Sequence, residues 1–212
     1  GCGWKSTAKA WCDIKEAAML KDLVLKNRSY RGYHEDRTVS REELVELIDD
    51  ARLTASGGNK QPLKYYIANQ KEEVEAILAT TKWAAALPEL HLPKPGTHPT
   101  AFVIILQDTS IQPNLQAAMI DVGIAAQTIT LAATEKGLGG LMIRNFGLKP
   151  LTELLGLSEN LVPILVIALG APAENVELVP VSAGGDINYY RDEKGTHYVP
   201  KRALEEIVLE KK

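Results

Sequence analysis

Arg28-Ser29-Tyr30-Arg31, then Ser56-Gly57-Gly58-Asn59-Lys60-Gln61-Pro62 after one amphipathic stretch, decide how this chain is read. The first cluster sets two guanidinium groups and a hydroxyl close together in sequence. Planar guanidinium donors meet two anionic oxygens at once, so this cluster suits phosphate or a similarly charged edge. The second is a glycine loop with amide side chains. Gly57 and Gly58 can bring backbone N–H groups close to a flat ligand. Each feature also has a plain structural reading. An arginine pair at a helix end is commonly solvated, and Gly57-Gly58 equally serves a helix-to-strand turn needing positive φ. These readings of the loop do not exclude each other, because a turn can bind.

Between and around these clusters the pattern mixes helices and strands. Residues 20–26 have the apolar spacing of a short helix running into the arginines. Residues 39–54 form a stronger one: Ser40 and Glu43 make a capping box, and Leu44, Leu47, Ile48 and Ala51 mark one apolar face. Residues 63–68 read as a strand, and Asn69 is placed to cap a helix with Val74, Ile77 and Leu78 inward. Residues 81–100, with Pro88, Pro93, Pro95 and Pro99, read as a loop or lid with one helical turn at most. Residues 101–107 read as a buried strand. Residues 115–136 form a long helix, apolar almost all round and rich in alanine, that must be covered on every side. A chain of 212 residues hardly encloses such a helix alone, so a subunit interface is expected there. Gly137 ends it as a C-cap glycine. Residues 150–155 are a short helix, and 162–170 a buried strand with Pro163 at its first residue or an edge. The tail has little core character, apart from a hairpin around Asp192-Glu193-Lys194-Gly195, and residues 202–212 are a last helix or arm. Mixed elements without strict βαβ alternation predict an α+β fold.

Composition excludes several functions. The chain is 45% hydrophobic and 24% charged with a net charge of −3, so it exerts no global attraction on nucleic acid or anionic membranes. The apolar run 117–133 is interrupted by Asp121, Gln127 and several threonines, which argues against a membrane span. Both cysteines, Cys2 and Cys12, fall near the start, and the cysteine-free body fits a reducing, cytoplasmic setting. Residues 1–18 look foreign to the rest: they read as an N-terminal extension or expression remnant, or else as an added helix with Trp4 and Trp11 on one face. Residues 19–212 are the functional domain. The four histidines lack metal-ligand spacing, no G-x-S-x-G elbow exists, and no Walker loop is present. Asp121 on the long helix reads as a satisfied buried carboxylate rather than a catalytic base.

Three segments together resemble the nitroreductase family of FMN-dependent oxidoreductases. The arginine cluster is similar to the family's opening R-S-x-R, with Asn27 where relatives commonly carry a basic residue. The glycine loop is similar to P-S-x-x-N-x-Q-P-W, with Ala55 for the proline and Leu63 for the aromatic. Residues 137–146 resemble the segment whose backbone amides face the flavin. The resemblance implies an α+β nitroreductase-like fold, a central mostly antiparallel sheet flanked by helices in an intertwined homodimer. It implies no catalytic side chain and no metal. FMN would be held by Arg28 and Ser29 at phosphate and ribityl, and by Arg31 at the pyrimidine edge. Ser56, Gly57, Asn59 and Gln61 would come from the neighbouring subunit. Arg144 and Asn145 would contribute main-chain N–H groups, and Lys201 and Arg202 would reach the phosphate. A fixed cation beside N1 and O2 eases flavin reduction. The implied reaction is ping-pong electron transfer from NADH or NADPH to a small electron-poor acceptor of nitroaromatic or quinone type. The alternatives are a flavin-binding sensor or carrier without efficient turnover, and a binding protein with no flavin.

Overall fold

A computed structural model of the chain describes residues 20–84 and 90–210. The expectations for residues 1–18 and for the middle of the proline-rich segment lie outside the described residues. Its centre is a five-stranded antiparallel sheet. The strands are β1 (Tyr33–His34), β2 (Leu63–Ala68), β3 (Ala101–Asp108), β4 (Gly139–Ile143) and β5 (Leu161–Pro172). They run β1-β5-β3-β2, and β4 lies beside β1 along the same side of β5.

Every residue of β3 is buried, and the period-two alternation of a strand divides its side chains between two cores. Ala101, Val103 and Ile105 pack with α2 (Arg41–Arg52) and α4 (Leu115–Glu135) on one face. Phe102, Ile104 and Leu106 pack with α3 (Lys71–Leu78) and α5 (Leu148–Leu154) on the other. The result is helix, sheet and helix in three layers, preceded by the short α1 (Leu20–Lys26).

Local rules explain the helix ends. The capping box forms as read: Ser40 Oγ accepts from Glu43 N–H at 3.1 Å, and Glu43 Oε2 accepts from Ser40 N–H at 2.9 Å. Gly137 sits at φ +73°, with its N–H on Thr134 C=O and the following Leu138 N–H on Ala133 C=O. Asn69 does not cap α3. Gln70 holds the cap position without a side-chain bond, and Asn69 Nδ2 instead donates to Val39 C=O at 3.1 Å, tying this turn to the start of α2. Pro163 lies inside β5 rather than at its first residue. It is tolerated because the β3–β5 register slips there, and β4 has already ended at Ile143 opposite Val166.

The tail is more ordered than its sequence suggests. The expected hairpin forms between β7 (Tyr190–Arg191) and β8 (His197–Arg202), and β6 (Val176–Val181) joins β8 in parallel to make a second, three-stranded sheet. The closing α6 is short (Leu204–Ile207).

By length and composition α4 could cross a membrane, yet it carries buried Asp121 and packs against α2, the sheet and the glycine loop. One side of it is left uncovered by the described residues. Ile120 is 71% exposed, and Gln116, Gly123 and Gln127 on the same stripe are exposed too. Beside this stripe lies a largely apolar groove of about 310 Å³, bordered by Met119, Gly123, Met142, Arg144 and Ile164 among others.

Candidate active site

The arginine cluster is laid across β4. Ser29 bridges to Gly140, and Tyr30 N–H donates to Gly140 C=O at 3.2 Å. The neighbouring Gly139 makes this crossing possible: a Cβ there would lie 2.4 Å from the Tyr30 ring and 2.7 Å from Pro172. Tyr33, fully buried, fixes the segment from below by donating its hydroxyl to Tyr30 C=O at 2.8 Å. Asn27 is turned away from this corner, its Nδ2 donating to Thr130 Oγ1 of α4 at 2.9 Å.

Arg31 is 9% exposed. Its backbone N–H donates to Glu174 at 2.5 Å, while its guanidinium has no carboxylate in ion-pair range among the described residues. Nη1 donates to Ser29 C=O at 3.1 Å and lies 3.4 Å from His197 Nε2, and Cζ sits 5.0 Å from the centroid of the Tyr189 ring. The Tyr189 face supplies a cation–π contact. Burial pulls the guanidinium below its ordinary value, with Tyr189 and Glu174 acting against the shift, and arginine remains charged under such pressure. A buried cation without a carboxylate costs free energy unless a ligand answers it.

Arg31 borders a cavity of about 260 Å³ shared with Trp83, Met142, Arg144, Asn145 and Tyr189. One wall is the free edge of β4. The Gly140 carbonyl faces the N-terminal segment rather than β5, and strand groups alternate sides residue by residue. Met142 therefore presents its N–H and C=O on that same edge, where no other strand pairs with β4 among the described residues. The segment after α3 closes the next wall. Lys82 N–H donates to Asn145 C=O, and Gly147 N–H to Thr80 C=O, each at 2.8 Å. A cation, free strand-edge donors and aromatic side chains around one space fit the electron-rich edge and flat ring of a flavin.

The glycine loop is organised by α4. Asp121 accepts from Ser56 Oγ at 2.6 Å and from Gly57 N–H at 2.9 Å, and Ser56 Oγ in turn accepts from Gln61 N–H at 2.9 Å. Gly58, Asn59 and Gln61 all have positive φ, and Gln61 Nε2 donates back to the Asn59 carbonyls. The loop is thus held in an unusual shape, with Asn59 and Gln61 exposed. Asp121 is the satisfied carboxylate expected of it.

The structure brings some of the expected site residues together and leaves others apart. Arg31, Arg144 and Asn145 share the first cavity. Ser56 and Gln61 line another of about 220 Å³ beside the loop, while Gly57 and Asn59 line neither. Arg28 is half-buried, donating to Val24 C=O at 2.6 Å, and neither it nor exposed Ser29 lines the first cavity. Lys201 and Arg202 are exposed at the end of β8, where Arg202 pairs with Glu206. Among the described residues, the cavity of the arginine corner and the cavity at the glycine loop share no lining residue. Lys82, Trp83, Tyr189 and His197 were missed by sequence reading. For Tyr189 and His197 the one available signal was the aromatic and histidine content of the hairpin.

His197 is 2% exposed. Burial first, then the charges of Arg31 and Arg191, lower it from 6.5 to about 4, against Glu174. It is therefore neutral near pH 7, which suits an Nε2 beside an arginine donor. Below about pH 6.5 the unfolded chain takes up a proton that the fold refuses until about pH 4. Unfolding free energy should fall across that window by up to about 3 kcal/mol, at about 1.4 kcal/mol per unit of pKa. Urea unfolding at stepped pH tests this. His197→Gln should flatten the slope between pH 6.5 and 4, and equal slopes would remove His197 as the cause.

The nitroreductase family model matches residues 24–171. A protein of Archaeoglobus fulgidus named "Putative NADH dehydrogenase/NAD(P)H nitroreductase" is 27% identical over 157 residues, covering 72% of this chain and 84% of its own. One of the same name from Methanothermobacter thermautotrophicus is 28% identical over 158 residues, 73% of this chain and 78% of its own. Among solved structures, a nitroreductase family protein of Clostridium novyi NT aligns with TM-score 0.62 at 22% identity, covering 73% and 86% of the two chains. A protein of Exiguobacterium sibiricum 255-15 solved in complex with FMN aligns with TM-score 0.64 at 17% identity, over 79% and 95%. These two likenesses establish the fold. The chain belongs to the nitroreductase family, and in class it is an FMN-dependent NAD(P)H oxidoreductase. The second sheet, with Tyr189 and His197, lies beyond the family-matched span.

Proposed function

We propose that residues 19–212 form one FMN-binding unit of a cytoplasmic homodimer that carries electrons from NADH or NADPH to a small nitroaromatic or quinone-type acceptor by a ping-pong mechanism. The observation that carries this reading is the buried Arg31 guanidinium, without an ion-paired carboxylate among the described residues, in a cavity walled by the free edge of β4. Bound FMN would supply reversible acceptance and release of electrons. The chain would do the rest. Arg31 would hold positive charge against the ring's pyrimidine edge, and Met142, Arg144 and Asn145 would present backbone groups beside it. Arg28 and Ser29, with Lys201 and Arg202, are the candidates for the phosphate end. No acid–base pair is needed, because positioning and charge suffice for this chemistry.

Two observations support a shared site. The groove along the uncovered stripe of α4 and the Arg31 cavity have Met142 and Arg144 in common, so whatever covers α4 reaches the Arg31 cavity. The glycine loop, shaped by Asp121 of that helix, exposes Asn59 and Gln61 with no counterpart in its own chain's Arg31 cavity. A second copy placed on α4 would supply the loop.

The purified protein should be yellow, with flavin bands near one FMN per chain, and should oxidise NADH or NADPH when a quinone is added. A flavin-loaded protein that leaves both nucleotides unoxidised is a carrier or sensor instead. A colourless protein that fails to take up added FMN overturns the reading.

A further inference from the structure

Arg31 also borders a second cavity, of about 270 Å³, whose character differs from the first. Besides Arg31 and its neighbour Gly32, three further segments build it: Lys94 and Thr97 from the proline-rich segment, Glu174 and Asn175 between β5 and β6, and Arg191, Lys194 and Thr196 at the β7–β8 hairpin. Four cations face one carboxylate. That carboxylate is already engaged, accepting from the Arg31 backbone N–H and the Arg191 guanidinium. Among the described residues neither Lys94 nor Lys194 has a carboxylate in ion-pair range, and Arg31 Nη2 has no protein partner. Unneutralised cations converging from three segments, with threonine and asparagine between them, form a receptor for phosphate oxygens.

The proposed reaction uses two phosphate-bearing ligands. Arg28 and Ser29, the expected phosphate contacts of FMN, do not border this cavity. Its volume accommodates a phosphate or diphosphate with part of a sugar, not a whole dinucleotide, and Arg31 joins it to the space where a ring would lie. We infer that this cavity binds a phosphate group of the nicotinamide nucleotide donor, with Lys94 and Lys194 as its charged contacts. The inference rests on the function proposed above and adds to it a subsite for the donor.

The test pairs the wild-type protein with Lys94→Ala/Lys194→Ala, both changes being at exposed positions that should leave folding intact. Titration calorimetry with inorganic pyrophosphate and with adenosine 2′-phosphate should show at least one probe binding wild type and binding the variant at least about tenfold more weakly, as expected for two lost charge-assisted contacts. FMN affinity should not change. In steady state, KM for the donor should rise about as much with kcat preserved. An equal rise for NADH and NADPH marks the diphosphate, and a rise for NADPH alone marks the 2′-phosphate. The inference is overturned if neither probe binds, if both proteins bind them alike, or if the variant loses FMN affinity while its donor KM stays put. A protein that neither holds flavin nor oxidises donor would sink the proposed function, yet the two probes would still report on the cavity.

Discussion

Arg31→Ala should lower turnover with NADH and NADPH about 100-fold or more, the usual cost of removing one preorganised charge that meets the reacting group. The side chain is nearly buried, makes no ion pair with a carboxylate among the described residues, and is held by Ser29, His197 and Tyr189 so that its charge lies along the cavity wall. Those contacts cost it little reorganisation when a ring with an electron-rich edge arrives. Arg31→Lys keeps the charge but loses the planar fork, so it should recover only part of the rate. Flavin content, measured alongside, separates weakened binding from slowed chemistry. If Arg31→Ala keeps bound FMN and turns over within threefold of wild type, its charge does not serve the reaction.

The second large effect concerns α4. Ile120 is 71% exposed on the uncovered stripe of α4, beside the apolar groove, and in a lone chain Ile120→Arg would change stability by no more than about 0.5 kcal/mol. In a dimer packed on that stripe, the same change buries an unpaired charge and should cost several kcal/mol of association. The variant should elute at half the wild-type mass, lose FMN on gel filtration and lose activity with it. A fully dimeric, yellow Ile120→Arg protein would move the interface elsewhere.

Much of the fold was legible because its signals are local. The Ser40/Glu43 box, the apolar run 101–106 of β3 and Gly137 each act within a few residues, and each appears as read. Asn69 misled because a cap-forming side chain equally satisfies a distant carbonyl, here that of Val39. The β6–β8 pairing was invisible: parallel strands joined by a long connection leave no mark at either strand. The candidate site divides the same way. Arg31 and Asn145 came from motif likeness, whereas Tyr189 and His197 reach Arg31 only through the tertiary path of the second sheet. Asp121's service to the glycine loop depends on a contact between residues far apart in sequence, which composition does not encode.

Complementation between two inactive variants tests the shared site most directly. Arg31→Ala removes the charged corner, and Asn59→Ala/Gln61→Ala strips the loop. Co-expressed, they form mixed dimers in which one site carries both defects and the other carries neither. With statistical pairing, about a quarter of wild-type activity should return, although each variant alone has almost none. If corner and loop of the same chain formed each site, every site in the mixture would keep one defect, and the mixed sample would be as inactive as its parents.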